Sequence, residues 1–358
     1  MPSVSEDGVT RPAVPAIVGE PSVFAGARDR PVFVGACPRS GTTLLRTMLN
    51  SHPELALPLE TRFLMEAWEA RASFGDLSDA DRRRQLARWI FRRKRTRWHR
   101  LGVDQRPAIA RLVSAPPTIG SLLGTCFLMY AEHHGKPRWG DKRPMYDQHL
   151  DAIFAMFPDA QFVHLVRDPR ATVASVRRVG WSGGDVVAPT ELWGRSLRAV
   201  DAWRGRLAPD QLLEIRYEDL VIEPRATMER VCGFLGLAPE GIDSMLAFHE
   251  RGDVPQNRHH WQVSRPVTAA SVRGWEKTLD APEVAFVERA LGAQMRRYGY
   301  PFEADGVRVP DELRRAFLRR RCMRTAIRAR DAARETALSL TYRRPVAARL
   351  TSGQRAAD

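Results

Sequence analysis

Hydrophobic and polar positions along the chain follow two alternating patterns. Val32, Phe33, Val34 and Gly35 form a short unbroken apolar run that stops at CPRSG and passes into Thr42–Leu49 (TTLLRTML). A strand, a tight turn and a helix N-terminus are predicted in that order. The same change of pattern recurs twice. The run 161–166 (QFVHLV) ends at Arg167, Asp168 and Pro169, and a helix is predicted from Ala171. The run 212–216 (LLEIR) leads through Tyr217, Glu218 and Asp219 to a helix predicted from about Arg225. Helical spacing also marks 62–73, the stretch around Leu86, Trp89 and Ile90, 119–134 with Leu122, Leu123, Cys126 and Phe127 on one face, 239–250 and 282–297. Strands alternating with helices predict an α/β fold, a central parallel sheet flanked by helices in a single domain over 30–304. Residues 1–29 lack periodicity and read as a flexible tail, and 305–358 read as a basic helical C-terminal extension.

Charge sharpens this picture because it is uneven. The chain of 358 residues has a formal net charge of +14. Residues 82–111 carry 11 Arg and one Lys against Asp104, and 305–358 carry 14 Arg against six acids. Only four lysines occur (Lys94, Lys136, Lys142, Lys277), so a Lys in a Gly-flanked context stands out. No stretch approaches the roughly 20 apolar residues a membrane span requires. The first residues, acidic and proline-containing, do not read as a secretory signal. Four cysteines (Cys37, Cys126, Cys232, Cys322) without CxxC spacing suggest neither a disulfide framework nor a zinc site. A reducing, cytoplasmic setting is the expectation.

The sharpest local feature is GACPRSGTT, residues 35–43. Backbone N–H groups of such a turn, with the positive end of the following helix, make an anion site. Gly41 lets the backbone approach an anion, Ser40, Thr42 and Thr43 supply hydroxyl donors, and Arg39 supplies charge. It is not a Walker A loop, because Thr42 stands where that motif requires Lys. The competing reading is an ordinary Gly-containing strand-to-helix turn. Cys37 within the loop reads as a packing residue, since a thiolate would repel phosphate.

Residues 32–55 (VFVGACPRSGTTLLRTMLNSHPEL) resemble the 5′-phosphosulfate loop of sulfotransferases that use 3′-phosphoadenosine 5′-phosphosulfate (PAPS). Residues 162–176 (FVHLVRDPRATVASV) resemble that family's 3′-phosphate motif, with Arg167 at a strand end and Ser175 eight residues on. Residues 215–220 (IRYEDL) resemble its YED segment, in which Tyr217 corresponds to the adenine contact. Leu59 to Arg62 (LETR) is similar to the tyrosylprotein-sulfotransferase branch, where the Glu serves as base and the Arg lies near the acceptor. Residues 140–144 (GDKRP) resemble the branch's segment whose Lys lies against the sulfuryl group, and 271–275 (SVRGW) its last cofactor-binding loop. The resemblance covers about residues 31–300.

The resemblance implies a P-loop-NTPase-like sheet, PAPS as sulfuryl donor, no metal, and a hydroxyl acceptor: small molecule, lipid, glycan or peptide tyrosine. It implies that Glu60, Arg39 and Lys142 are catalytic. Arg39, Ser40, Gly41, Thr42, Thr43, Arg167, Ser175, Tyr217, Ser271 and Arg273 are the implied cofactor contacts, and Arg62 the substrate contact. Each has a bland rival. The rival for Glu60 is to charge the start of a helix near Thr61, for Lys142 to sit in a surface turn before Pro144, and for Tyr217 to be a core aromatic. The histidine pairs His133–His134 and His259–His260 read as surface or capping groups, and Trp89 and Trp98 as core contacts beneath a basic face.

Two other function classes remain open from sequence. A P-loop kinase-like phosphotransferase is opposed by the missing Lys after Gly41. A nucleic-acid or anionic-surface binding protein is suggested by the two Arg clusters, but no helix-turn-helix, zinc-finger or RNP-type pattern accompanies them, so no nucleic acid is expected. The 82–111 segment is placed to wall an acceptor cleft, which suits an acidic acceptor, and 305–358 suits peripheral contact with an anionic membrane.

Overall fold

The computed structural model describes residues 30–179, 184–250 and 268–342. In chain order the elements are β1 (Val32–Gly35), α1 (Thr42–Ser51), β2 (Leu55–Ala56), α2 (Phe63–Ala70), α3 (Ala80–Arg92), α4 (Gln105–Ser114), α5 (Ile119–His133) and β3 (Arg138–Lys142). There follow α6 (Leu150–Met156), β4 (Gln161–Val166), α7 (Pro169–Arg178), α8 (Val187–Arg204), β5 (Leu212–Arg216), α9 (Tyr217–Ile222), α10 (Pro224–Leu235), α11 (Ile242–Leu246), α12 (Ala281–Arg297) and α13 (Asp311–Tyr342).

All strand pairings in the sheet are parallel, in the order β2-β3-β1-β4-β5. Strand alternation divides the apolar runs between two faces. Phe33 and Phe162 enter one core with Phe63, Phe127, Trp139 and Phe157. Val32, Val34, Val163 and Leu165 enter the other with Leu45, Leu49, Leu220 and Val231. Both faces of β1 and β4 are covered and every residue of these strands is buried, which suits their largely apolar runs. A third cluster joins Val166 and Cys37 to α7, α8 and α12. Because β1 has β3 on one side and β4 on the other, the chain leaves it at a topological switch point, where a crevice opens at the strands' carboxyl ends.

The structure corrects several sequence expectations. Residues 140–142 belong to β3, every residue of which is buried, so the rival reading of a surface turn around Lys142 does not hold. Its composition hid it, because only Trp139 is a strongly apolar strand former. Burial is tolerated because the polar groups are matched: Arg138 donates to the Arg30 carbonyl at 2.8 Å, and Asp141 accepts from the Lys142 N–H and the Tyr146 hydroxyl. Helix α7 begins at Pro169 rather than Ala171, since Asp168 accepts from the Arg170 N–H and proline suits the first helical position. Helix α9 begins directly after β5, and α8 had no counterpart in the sequence reading. The 239–250 stretch divides into α11 between two short 3₁₀ turns.

The C-terminal extension contains one helix, α13, whose Leu313 and Phe317 pack against the core beside Phe286. Trp98 is buried as expected, whereas Trp89 is half-buried. No described helix is long and apolar enough to cross a membrane. The 1–29 tail, His259, His260 and residues 343–358 lie outside the described residues.

Candidate active site

The loop between β1 and α1 is shaped by two left-handed residues. Arg39 has φ 73° and Gly41 φ 97°, and between them the Ser40 N–H donates to the Cys37 carbonyl at 3.2 Å. Gly41 precedes α1 with no side-chain cap, so the first-turn N–H groups present the positive end of the helix. Glycine at 41 is required twice over. Its φ is positive, and a Cβ there would lie 2.4 Å from Cδ2 of Tyr217. Ser40 is 1% exposed, and its hydroxyl has no partner among the described residues. A buried, unsatisfied donor at a helix N-terminus is an incomplete site that an anion would complete. Burial pushes the Cys37 thiol well up, in keeping with a packing role.

A second group closes on this loop from the ends of β4 and β5. Arg167 donates to the Arg39 carbonyl at 3.0 Å and to the Ser271 carbonyl at 2.8 Å, and its guanidinium lies 4.3 Å over the Tyr217 ring. Its Nε is buried and without a partner among the described residues. The Tyr217 hydroxyl is 2.6 Å from Ser271 Oγ, and Arg39 Nε donates to Ser175 Oγ at 3.2 Å. Burial holds Arg39 below the usual arginine range, and the charges of Arg167 and Arg178 add to it. Cations gathered at a helix N-terminus can hold a phosphate-like anion.

The frame under this group is a buried network. Glu218 accepts from the Asp168 N–H at 3.0 Å and from the Tyr300 hydroxyl at 2.9 Å. Arg170 pairs with Asp168 and Glu288, each at 2.7 Å. Glu218 therefore joins the end of β5 to the end of β4.

On the other side of β1, Val34 pairs in register with Lys142. Lys142 is 4% exposed, which rules out the surface-turn reading. Its Nζ lies 3.9 Å from Glu60 Oε2, and Arg97 Nη1 lies 3.4 Å from Glu60 Oε1. Burial lowers the Lys142 amine to about 8, with Glu60 opposing the shift. Burial likewise raises Asp141 to about 7, against the Tyr146 hydrogen bond and the Lys142 charge. The segment carrying Glu60 is tied to α1 by Arg46, whose Nε donates to the Leu57 carbonyl at 2.8 Å and the Pro58 carbonyl at 3.1 Å. Arg100 donates to the Glu60 carbonyl at 2.6 Å. Arg62 is half-buried, and burial followed by the Arg97 and Arg143 charges holds it below the usual arginine range.

The fold thus brings Arg39, Ser40, Gly41, Thr42, Thr43, Arg167, Ser175, Tyr217 and Ser271 to one loop. Glu60 and Lys142 meet beside it, with Arg62 two residues after Glu60 in the chain. Arg273 is the exception. Its side chain is 60% exposed and ion-paired to Glu276 and, at 2.8 Å, to Glu303. Two nearby carboxylates thus satisfy the guanidinium, which stands at the surface and is not gathered to the loop with the other residues. Arg46, Arg97 and Arg100 were missed. For Arg46 a signal existed, a lone Arg within the apolar stripe of α1; for the other two, eleven arginines in one segment concealed which would turn inward.

Residues 31–240 match the model of the sulfotransferase family. Protein-tyrosine sulfotransferase 1 of Danio rerio is 30% identical over 269 residues, covering 70% of this chain and 67% of its own. Protein-tyrosine sulfotransferase A of Caenorhabditis elegans is 27% identical over 297 residues, covering 79% and 70%. Among solved structures, the sulfotransferase domain from the Synechococcus PCC 7002 olefin synthase superposes with a TM-score of 0.53 at 22% identity, covering 77% of this chain and 97% of that domain.

Proposed function

The chain belongs to the sulfotransferase family, and from that premise we propose that it moves the sulfuryl group of PAPS to a phenolic hydroxyl, a peptide tyrosine being the acceptor class its relatives suggest. The observation that carries this reading is the meeting, at the carboxyl ends of β1, β3 and β4, of an anion cradle with a carboxylate–ammonium pair 3.9 Å apart. The unsatisfied Ser40 hydroxyl and Arg167 Nε fit the two phosphate-bearing ends of such a donor.

In this mechanism Glu60 accepts the proton of the acceptor hydroxyl as its oxygen bonds to sulfur. The S–O bond to the 5′-phosphate breaks, and the electron pair departs with that phosphate, giving adenosine 3′,5′-bisphosphate. Lys142 and Arg39 offset charge on the sulfuryl oxygens, and Ser40, Thr42, Thr43 and the α1 N–H groups hold the 5′-phosphate. Arg167 and Ser175 hold the 3′-phosphate, Tyr217 and Ser271 border the adenine, and Arg62 borders the acceptor. Positioning and electrostatics supply most of the acceleration in such transfers.

Calorimetric titration with adenosine 3′,5′-bisphosphate, beside AMP and MgATP, tests the donor. Magnesium-independent binding of the bisphosphate is expected, weakened about 10- to 100-fold in Arg167→Ala by loss of charge-assisted hydrogen bonds. Magnesium-dependent binding of ATP in its place would reassign the loop to phosphoryl transfer.

A further inference from the structure

The arginine-rich segment has a member whose backbone and side chain both call for explanation. Arg97 adopts φ 58° and ψ 32°, the left-handed region, between the 3₁₀ turns Lys94–Thr96 and Trp98–Leu101. An arginine gains nothing from that conformation for which glycine is suited. Its neighbours leave it no alternative. Thr96 is buried, its hydroxyl donates to the Ile90 carbonyl at 2.6 Å, and its own carbonyl accepts the Arg62 N–H at 3.0 Å. Trp98 is buried against Phe91, ring centroids 4.2 Å apart. With both flanking residues fixed in the core, the guanidinium of Arg97 reaches Glu60. Strain held at one residue by its surroundings is a mark of functional positions.

The two carboxylate oxygens of Glu60 are divided between two cations. Oε1 faces Arg97 and Oε2 faces Lys142, while Arg100 holds the Glu60 carbonyl. Lys142 comes from the strand beside β1, on the loop side of the site, whereas Arg97 approaches from the outer segment. We infer that Arg97 is a positioning residue for sulfuryl transfer. It fixes Oε1 so that Oε2, beside Lys142, is the oxygen that takes the acceptor's proton. The 82–111 segment would then serve the reaction through Glu60, and not only as a basic surface. This rests on the proposed role of Glu60 as base.

The chemistry is that of the transfer already described: the acceptor O–H bond breaks, its proton passes to Oε2, the O–S bond forms and the S–O bond to phosphate breaks. Arg97 exchanges no proton. A carboxylate free to rotate would present either oxygen, and misplacement of a base by a fraction of its hydrogen-bond length reduces proton transfer.

The test is a double-mutant cycle read by transfer from radiosulfur-labelled PAPS to a synthetic tyrosine-containing peptide. Arg97→Gly should lower kcat about 10-fold, the loss of one hydrogen bond to a charged group, with the KM for PAPS and the affinity for adenosine 3′,5′-bisphosphate within about two-fold of wild type. Its Tm should hold or rise, because glycine relieves the left-handed backbone. Arg97→Lys should recover part of the lost rate. Glu60→Gln should lose about 10²- to 10⁴-fold, and adding Arg97→Gly to it should cost nothing further.

Additive losses in the double variant would overturn the inference while leaving Glu60 as base. So would a fall in Tm that tracks the fall in kcat without rescue by lysine. A Glu60→Gln enzyme with wild-type turnover would instead remove the premise.

Discussion

Replacing Gly41 by alanine isolates the close approach on which the anion loop depends. The added Cβ would lie 2.4 Å from Cδ2 and 2.6 Å from Cε2 of Tyr217 at a residue whose φ is +97°. The ring cannot simply withdraw, since its hydroxyl is bonded to Ser271 Oγ and its face packs beneath Arg167. Two costs combine: about 1–2 kcal/mol for a left-handed non-glycine residue, and about 1–3 kcal/mol for overpacking a filled site. Gly135→Ala is the control, because Gly135 has φ +65° with open space where its Cβ would go. It should show only the backbone cost. Urea unfolding of both variants should therefore differ by about 1–3 kcal/mol. Calorimetry should show adenosine 3′,5′-bisphosphate binding weakened about 10-fold or more in Gly41→Ala alone, as displacement of Tyr217 disturbs both Ser271 and Arg167. Equal destabilisation by the two substitutions, or unchanged nucleotide affinity in Gly41→Ala, would refute the reasoning.

Arg39→Gly should separate stability from function in the opposite sense: its φ of 73° suits glycine, so unfolding should become harder by up to about 1 kcal/mol. Nucleotide affinity should nonetheless fall about 10- to 100-fold. Lys142, lowered by burial to about 8, opposes folding while both states are protonated, below about pH 8. Between about 8 and 10.5 only the unfolded chain keeps the proton, so stability rises with pH there. Lys142→Met should be more stable than wild type by roughly 3 kcal/mol at pH 7, and urea titrations should show that gap closing by about pH 10.5; a gap independent of pH would exclude a buried ammonium. Turnover should fall as pH rises through about 8 and Lys142 loses its charge, and Lys142→Arg should remove that alkaline limb from the pH–rate profile.

The sequence by itself determined β1, β4 and β5 and the loop after β1. Each strand is a short run rich in apolar strand formers, and a switch to helical spacing marks each exit. The residues alone marked Arg39 to Thr43 as an anion loop, and the family resemblance of the segments after β4 and β5 added Arg167, Ser175 and Tyr217 to it. Tertiary structure alone decided the rest. β3 lies inside the sheet, between β2 and β1, although it reads RWGDK, since Arg138 and Asp141 are satisfied by groups from Arg30 and Tyr146. It also turned Arg97, one arginine among eleven, toward a glutamate 37 residues away, and it left Arg273 at the surface between two carboxylates. Periodicity records what each residue does relative to its own strand or helix. Which charge faces which is set only when separate elements pack, and no local pattern carries it.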